Sequence, residues 1–202
     1  AVLRTCRSLE QSGFKVTYLP VDSPGVLDPG ALGDAMTGET ILVSIMHGNN
    51  EIGTIEPIDA IGRMTRERGI LLHTDAVQTV GKIPVDVRKL QADLLSLSGH
   101  KLNGPKGVGA LYIRQGVEIA PLLTGGHQES DRRGGTENVP AIAGLGRACE
   151  LAGRDLPSRM KGTKALRDRL QSHLAGKFHD LQVNGHPESR LPHVLSVSFR
   201  GL

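Results

Sequence analysis

Short apolar segments alternate with helical patterns along most of this chain, and this alternation limits the folds that it can adopt. Four segments have the length and the apolar content of buried strands. They lie at residues 41–46, 70–74, 92–97 and 109–114, with helical patterns at 57–68 and 137–151. Such an order predicts an α/β fold with a mainly parallel sheet flanked by helices.

Local signals predict the shorter elements. Residues 14–19 alternate in polarity and are predicted as a strand, with Gly13 closing the helix before it. Asp28 followed by Pro29 predicts a helix that begins there and runs to about Met36. We also expect a short helix after Asp75.

The composition changes after about residue 152. A charged amphipathic helix at 158–174 leads through a polar segment to a strand that ends near Phe199. We therefore expect a large domain over residues 1–152 and the beginning of a smaller α+β domain over residues 153–202.

Composition disfavours several classes of protein. The net charge is +3 and the five aromatic residues accompany no basic stripe, which argues against a nucleic-acid partner. Because no apolar run approaches about 18 residues, we predict neither a transmembrane helix nor a membrane partner. We predict no secretory leader at the start of the chain. Cys6 and Cys149 lack CxxC spacing and are too few for a disulfide framework, which favours a reduced cytoplasm.

Three of the predicted strands end in polar clusters. These are HGNNEIG at 47–53, HTDAVQ at 73–78 and SGHKLNGPKG at 98–107. In open parallel sheets, ligands bind at the carboxyl ends of the strands. Since three strands deliver polar side chains to one edge, the sequence predicts an active site there.

Asp75 and Lys101 form the pair that pyridoxal phosphate requires. This cofactor needs a lysine amine for its covalent link and an aspartate beside its pyridinium nitrogen. Gln78 can reach the phenolic oxygen of the ring from the turn that follows Asp75. Ser98 and His100 offer hydrogen-bond donors for the phosphate.

Taken singly, these residues also have purely structural interpretations. Asp75 can be a helix N-cap, Lys101 a surface charge and His73 a core histidine with satisfied hydrogen bonds. Their order and common location favour the cofactor site. Other motifs fail: no GK[ST] completes a phosphate loop, no HExxH or GxSxG occurs, and the histidines are spread too irregularly for a metal site.

Four segments of the chain resemble, in the same order, the NifS-like cysteine desulfurases. They are MHGNNEIGTIEPI, LLHTDAVQTVGKIPVDV, LSLSGHKLNGPKGVGALYIR and GGHQESDRRGGTEN. These enzymes belong to the class-V aminotransferase branch of the fold-type-I pyridoxal phosphate enzymes. The resemblance is dense over residues 1 to about 155 and looser beyond.

The resemblance implies a role for each residue of the predicted cofactor site. Lys101 would bind pyridoxal phosphate covalently and later transfer protons. Asp75 would pair with the ring nitrogen, and Gln78 with the phenolic oxygen. Ser98 and His100 would bind the phosphate.

Two further residues take roles from the resemblance. Thr136 would reach across the interface of a homodimer to the phosphate of the other subunit, although it can also be a helix cap, or serve both purposes. Asn50 would contact both the cofactor and the substrate carboxylate.

The resemblance implies the reaction as well. L-cysteine would yield L-alanine and a persulfide on an enzyme cysteine, whose sulfur passes to an iron–sulfur scaffold or another acceptor protein.

The family places that cysteine, and the arginine that binds the substrate carboxylate, beyond a strand like the one near Phe199. Neither Cys6 nor Cys149 matches it. A histidine that stacks on the cofactor and a phosphate-binding loop would precede Ala1. Both ends of the chain look like interrupted elements, so we interpret it as an internal piece that would not turn over alone.

Two alternatives to a cysteine desulfurase stay open. One is a selenocysteine lyase or a cysteine C–S lyase of the same fold. The other is a non-catalytic, truncated module that only dimerises or docks sulfur acceptors.

Overall fold

The computed structural model describes residues 2–201, in which helices and strands alternate as expected. The helices are α1 (Val2–Gln11), α2 (Pro29–Ala35), α3 (Ile58–Glu67), α4 (Gln128–Asp131), α5 (Val139–Arg154) and α6 (Leu156–Lys177). The strands are β1 (Leu42–Met46), β2 (Leu71–Asp75), β3 (Leu94–Ser98), β4 (Gly109–Ile113), β5 (Leu181–Asn184) and β6 (Ser196–Phe199). A 3₁₀ helix, Gly99–Leu102, follows β3 directly.

The first four strands form one sheet in the order β1-β2-β3-β4. β1, β2 and β3 are parallel, whereas β4 is antiparallel to β3, so the predicted mainly parallel sheet is confirmed. Asp75 pairs in register with Met46 on one side and with Ser96 on the other. The carboxyl ends of the three parallel strands therefore meet at one edge.

The two faces of this sheet differ in character. One face packs its apolar side chains against α3, and the main contacts come from Val43, Leu72, Leu95, Ile58 and Ile61. Because successive side chains of a strand point to opposite faces, the other face carries Ser44, His73, Asp75 and Ser96. The apolar face thus fixes the sheet, and the second face delivers polar groups toward the strand ends.

A second apolar cluster joins α5 to the 3₁₀ helix. Leu145, Ala148 and Ala152 of α5 are buried together with Leu102. Gly144 of the same helix approaches Pro105 so closely that a Cβ there would lie 2.5 Å from the proline ring. The segment that carries Lys101 is therefore held from outside by α5.

β5 and β6 form a separate antiparallel pair, and the segment between them returns to the first sheet. Ile55 N–H donates to the Ser189 carbonyl at 2.9 Å, and Leu191 N–H donates to the Gly53 carbonyl at 2.8 Å. This returning segment therefore lies against the loop that follows β1. No observation tests the expected boundary near residue 152, which stays a prediction.

Two of the predicted elements are wrong. Residues 14–19 belong to no strand in the described part of the chain, because no neighbouring segment pairs with them. The residues after Asp75 form successive turns instead of a helix, since Gly81 has φ +71° and leaves the right-handed helical region. β5 lies within a segment expected to be a loop.

Other local predictions are confirmed. Asp28 caps α2, its carboxylate accepting from Gly30 N–H at 2.8 Å. Gly13 follows α1 with φ +92° and donates to the Glu10 carbonyl at 3.0 Å, as a C-terminal cap does. None of the helices within residues 2–201 is long and apolar enough to cross a membrane.

Candidate active site

Asp75 ends β2 with a carboxylate that is only partly engaged. One oxygen accepts from Val77 N–H at 2.9 Å, and the other has no hydrogen-bond partner within residues 2–201. The backbone on both sides is tied to the sheet, because His47 N–H donates to the Asp75 carbonyl and Ala76 N–H to the Ser96 carbonyl. Asp75 does not cap a helix, since turns follow it, and its half-buried carboxylate is held in place with one oxygen free.

Lys101 lies in the 3₁₀ helix immediately after β3. Its amine makes no hydrogen bond or ion pair within the described residues, and its side chain is half-buried rather than fully solvated. Ser98 Oγ and His100 Nδ1 lie 2.8 Å apart in the same turn. A Cβ on Gly99 would come within 3.0 Å of the Pro105 and Val108 carbonyl oxygens, so glycine is needed for this tight turn. The turn thereby presents Ser98 and Lys101 near the end of β3.

Gln78 and Asn50 lie on the loops after β2 and β1. Gln78 is half-buried and Asn50 is exposed, and neither side chain has a hydrogen-bond partner within residues 2–201. The neighbouring Asn49 organises its turn, because its side-chain oxygen accepts from Glu51 N–H at 2.8 Å and from Ile52 N–H at 3.0 Å. Because Asn49 closes this turn, the side chain of Asn50 is not used in it, and its amide has no hydrogen-bond partner within residues 2–201.

Thr136 stands apart from the other predicted site residues. It is exposed, and no hydrogen bond within the described part of the chain joins it to them. The cap of α5 is Asn138, whose side chain accepts from Ala141 N–H at 3.2 Å, so the capping interpretation of Thr136 is wrong. The segment before it is closed by Gly134 N–H, which donates to the Leu123 carbonyl at 2.8 Å.

Positive charge accumulates around Lys101. Burial lowers the pKa of Lys82, and the charges of Arg159 and Lys101 lower it further. Burial likewise lowers the pKa of His193, with Lys82 and Lys101 adding to the effect. None of the three cations Lys82, Lys101 and Arg159 forms an ion pair within residues 2–201. This environment suits an anionic ligand such as a phosphate or a carboxylate.

His73 is satisfied inside the sheet, which confirms its structural interpretation. Its Nδ1 lies 2.8 Å from Ser44 Oγ and its Nε2 lies 2.9 Å from Ser96 Oγ. Burial lowers the pKa of His73, opposed by the charge of Asp75. Sequence reasoning missed Ser44 and Ser96, although each is the polar residue that interrupts an apolar strand.

Comparison with known proteins places the chain in a family. Residues 1–202 match the aminotransferase class-V family. The chain belongs to that family. It is 55% identical over 199 residues to "Cysteine desulfurase IscS" of Methanosarcina thermophila, and 50% identical over 200 residues to "Cysteine desulfurase" of a Nostoc species. These alignments cover 98% and 99% of the chain but 49% and 50% of the relatives. The chain therefore spans about half the length of the curated relatives that it matches.

Solved structures of this family have the same fold. A "NIFS-LIKE PROTEIN" superimposes with a TM-score of 0.94 at 46% identity, covering 100% of the chain and 55% of that structure. A NifS-like protein from Rickettsia africae gives a TM-score of 0.87 at 32% identity, covering 91% of the chain and 52% of that structure. The α/β fold with a mainly parallel sheet is thus that of the NifS-like class-V aminotransferases.

The donor set at the sheet edge fits the pyridoxal phosphate that class-V aminotransferase membership implies. A lysine amine and an aspartate oxygen, each without a partner within residues 2–201, match the two polar ends of the cofactor ring. The hydroxyl and imidazole of the Ser98–His100 turn, together with the surrounding cations, suit its phosphate. Within residues 2–201, none of these side chains forms an ion pair that would have to break when pyridoxal phosphate binds.

Proposed function

We propose that this protein is a pyridoxal phosphate-dependent cysteine desulfurase. It would convert L-cysteine and an enzyme thiol into L-alanine and an enzyme persulfide. The observation that carries the proposal is the pair formed by Lys101 and Asp75, two half-buried and incompletely partnered groups near the same edge of a parallel sheet. When bound, the cofactor supplies an electron-poor ring that withdraws electrons from the substrate carbon.

Asp75 and Gln78 would orient the ring. The Val77 N–H fixes one carboxylate oxygen of Asp75, so the other is available to the ring nitrogen at a defined position. An ionised carboxylate there keeps that nitrogen protonated. Gln78 follows three residues later, and its free amide would bond the phenolic oxygen.

Lys101 would hold the cofactor and act as the proton carrier. Its amine would move a proton at Cα of the substrate and then at Cβ. The 3₁₀ helix limits its movement, because Gly104 N–H donates to the Gly99 carbonyl at 2.9 Å and Leu102 packs under α5. The lysine thus has a mobile side chain on a fixed backbone.

The remaining polar groups would bind the anionic ends of cofactor and substrate. Ser98 and His100 would hold the phosphate, and the positive environment of Lys82 and Arg159 would favour both anions. Asn50 would contact the cofactor and the substrate carboxylate with the amide that the Asn49 turn leaves free.

A homodimer is part of the proposal, with Thr136 serving the phosphate of the other subunit. The exposure of Thr136 and the absence of a capping role support this assignment. Mixing Lys101→Ala protein with Thr136→Ala protein tests it, because each mixed dimer would contain one intact site. We expect the mixture to recover cofactor affinity that both separate variants lack, whereas unchanged weak binding would contradict a shared site.

The thiol that receives the sulfur is assigned to neither cysteine of this chain. Cys149 packs beside the apolar cluster of Leu102 and Leu145, as a small structural hydrophobe does. Cys6 lies on α1, a helix remote in sequence from the three strand ends. The name of these relatives, cysteine desulfurase, supports L-cysteine as substrate. Delivery of the sulfur to an iron–sulfur scaffold or another acceptor completes the proposal.

Borohydride reduction in the presence of pyridoxal phosphate tests the proposed function directly. Peptide mapping should find the cofactor on Lys101, and Lys101→Ala should abolish the adduct. Lys106→Ala is the matched control, because this exposed lysine lies on the same loop, and it should leave the adduct intact. Folded protein without an adduct on Lys101 would contradict the proposal and favour a non-catalytic docking module.

Substrate assays separate the enzyme alternatives. Production of alanine and sulfide from L-cysteine, with competition by selenocysteine, distinguishes a desulfurase from a selenocysteine lyase. We expect the 202 residues alone to bind the cofactor without turnover, since neither of their cysteines is assigned as the sulfur acceptor. Clear turnover by this chain would contradict that expectation.

A further inference from the structure

A row of three polar side chains crosses the parallel sheet on the face opposite α3. We call Ser44, His73 and Ser96 the serine–histidine row. The imidazole of His73 on β2 spans both neighbouring strands, with 2.8 Å from Nδ1 to Ser44 Oγ on β1 and 2.9 Å from Nε2 to Ser96 Oγ on β3. The row therefore ties together, through side chains, the three strands that end at the candidate site.

The row lies immediately before Asp75. His73 and Asp75 are two residues apart on β2, so their side chains are on the same face. Ser96 is the register partner of Asp75 on β3, and Ser44 is the register partner of His73 on β1. A change in this row would thus move the strand positions of Asp75 and of Ser98, which lies two residues beyond Ser96.

The row is more than a set of tolerated polar residues. Both nitrogens of the His73 ring are used, so its orientation about χ2 is fixed by two bonds in opposite directions. A neutral imidazole donates from one nitrogen and accepts at the other, so one ring can form hydrogen bonds with two hydroxyls at once. Valine or isoleucine would fill the same strand positions without this cross-strand link.

We propose that His73 is a positioning residue for Asp75, acting through Ser44 and Ser96 to fix the lateral arrangement of the three strands at the cofactor edge. The inference rests on the proposed function, because Asp75 needs a fixed position only toward the ring nitrogen of bound pyridoxal phosphate. Within residues 2–201 the hydrogen bonds of the His73 ring go to Ser44 and Ser96 and none goes to Asp75, so His73 would act on Asp75 through the strands.

The test compares five variants of the purified protein. Ser44→Ala and Ser96→Ala each remove one bond of the row, and His73→Leu removes both. Ser198→Ala is the matched control: it is also a strand serine with a side-chain hydrogen bond, to Asn184 at 2.9 Å, but it lies in the second sheet. His73→Gln is the conservative variant, since its amide can donate and accept.

Two quantities are measured, the dissociation constant of pyridoxal phosphate and the ¹⁵N chemical shift of its ring nitrogen in labelled cofactor. Each serine variant should weaken binding by about 3- to 10-fold, the value of one hydrogen bond, and shift the ring-nitrogen signal toward the unprotonated form. His73→Leu should weaken binding and shift the ring-nitrogen signal more than either serine variant does. His73→Gln should show smaller changes than His73→Leu in both quantities. Ser198→Ala should change neither quantity.

The outcomes separate this inference from the proposed function. If wild-type protein forms the Lys101 adduct and the row variants leave affinity and ¹⁵N shift unchanged, the inference is wrong and the function stands. Weaker binding with an unchanged ¹⁵N shift, or an equal effect in Ser198→Ala, would show a merely structural role and overturn the inference too. If wild-type protein forms no adduct, both fail. The serine variants lose one hydroxyl each, so the test does not depend on His73→Leu folding.

Discussion

At the scale of single residues, Asp93 is the buried carboxylate with the most connections. It lies just before β3 and is 5% exposed. One oxygen accepts from Leu72 N–H at 2.7 Å, and the other receives Arg114 Nε at 2.5 Å, with Arg66 at 3.7 Å. The carboxylate thereby joins β2 to the residue that follows β4 across the middle of the sheet.

Asp93→Ala should lower the free energy of unfolding by about 3 kcal/mol, because it leaves a buried N–H and a partly buried guanidinium without their partner. Asp93→Asn should cost less, since its amide oxygen can still accept from Leu72. Urea unfolding measures both. Asp59→Ala, which breaks an exposed pair with Arg63, is the control and should cost about 0.5 kcal/mol or less. Equal losses in the two alanine variants would contradict the role of Asp93.

His47 gives the fold a dependence on pH. Its side chain is 5% exposed and its Nδ1 has no hydrogen-bond partner within the described residues. Burial lowers its pKa from 6.5 to about 4, against an opposing effect of Asp59. As the pH falls from about 6.5 to about 4, the unfolded chain binds a proton that the folded protein does not, so acidification favours unfolding.

Protonation of His47 in the unfolded chain should therefore lower the free energy of unfolding by about 3 kcal/mol between pH 6.5 and about pH 4. Below about pH 4 this loss should not increase further. Urea midpoints measured across this range should fall less steeply in His47→Gln than in wild type. His179→Gln, a change at an exposed histidine, is the control and should keep the wild-type slope. A slope in His47→Gln equal to that of wild type would refute the assignment.

At the scale of elements, prediction from the sequence succeeds where the determining contacts are local. Asp28 and Pro29 start α2 because the cap and the first-turn proline act within one turn. The segment at 14–19 has the alternation of a strand, but a strand also needs a partner that the local pattern does not contain. β5 is the converse case, since four residues of mixed polarity, Leu181–Asn184, become a strand only because β6 pairs with them.

The candidate site follows the same rule. Asp75, Ser98 and Lys101 could be predicted because the ends of parallel strands meet at one edge whatever their exact register. The link from His73 to Ser44 and Ser96 could not, because it depends on which residues lie opposite one another. A shift of one residue would send these side chains to different faces.

The packing of α5 on the lysine loop needs a glycine at position 144. Gly144 and Gly146 lie two residues apart in the same helix, but only Gly144 contacts Pro105, and a Cβ on Gly146 would meet nothing within 4 Å. A side chain at position 146 therefore meets no obstacle, whereas one at position 144 would clash with the proline ring. Alanine at position 146 should stabilise the helix by about 0.5–1 kcal/mol, since it removes the entropic cost of glycine.

Gly144→Ala should have the opposite effect. The rigid proline ring must move, which should cost about 1–3 kcal/mol and displace the loop that carries Lys101. Thermal unfolding and the yield of the borohydride adduct measure these effects. Gly146→Ala is the internal control, because the chemical change and the helix are the same. Unchanged stability and adduct yield in Gly144→Ala would show that the contact is unimportant.

At the scale of the whole molecule, Thr54 connects segments that are distant in sequence. It is fully buried, its hydroxyl donates to the Pro24 carbonyl at 2.6 Å, and it accepts from His186 N–H at 3.0 Å. A Cβ on the adjacent Gly185 would lie 2.4 Å from the Ile52 carbonyl oxygen, which shows how closely the two segments approach. One hydroxyl thus contributes to holding the second sheet against the first.

Thr54→Val should uncouple the two sheets. Valine keeps the shape of threonine but leaves the Pro24 carbonyl and the His186 N–H unpaired, which should cost about 2–3 kcal/mol. The lost hydrogen bonds lie between the two sheets. Hydrogen exchange at Leu181–Asn184 and Ser196–Phe199 should therefore accelerate on the order of 30-fold, while β1, β2 and β3 keep their protection. Thr54→Ser retains the hydroxyl and should leave the exchange of β5 and β6 near that of wild type. Equal acceleration in both sheets would mean that they unfold as one unit and that Thr54 supports the whole core. In Thr54→Val, the segment between β5 and β6, which carries His193, should therefore open more often while the strand ends that carry Asp75 and Ser98 stay folded.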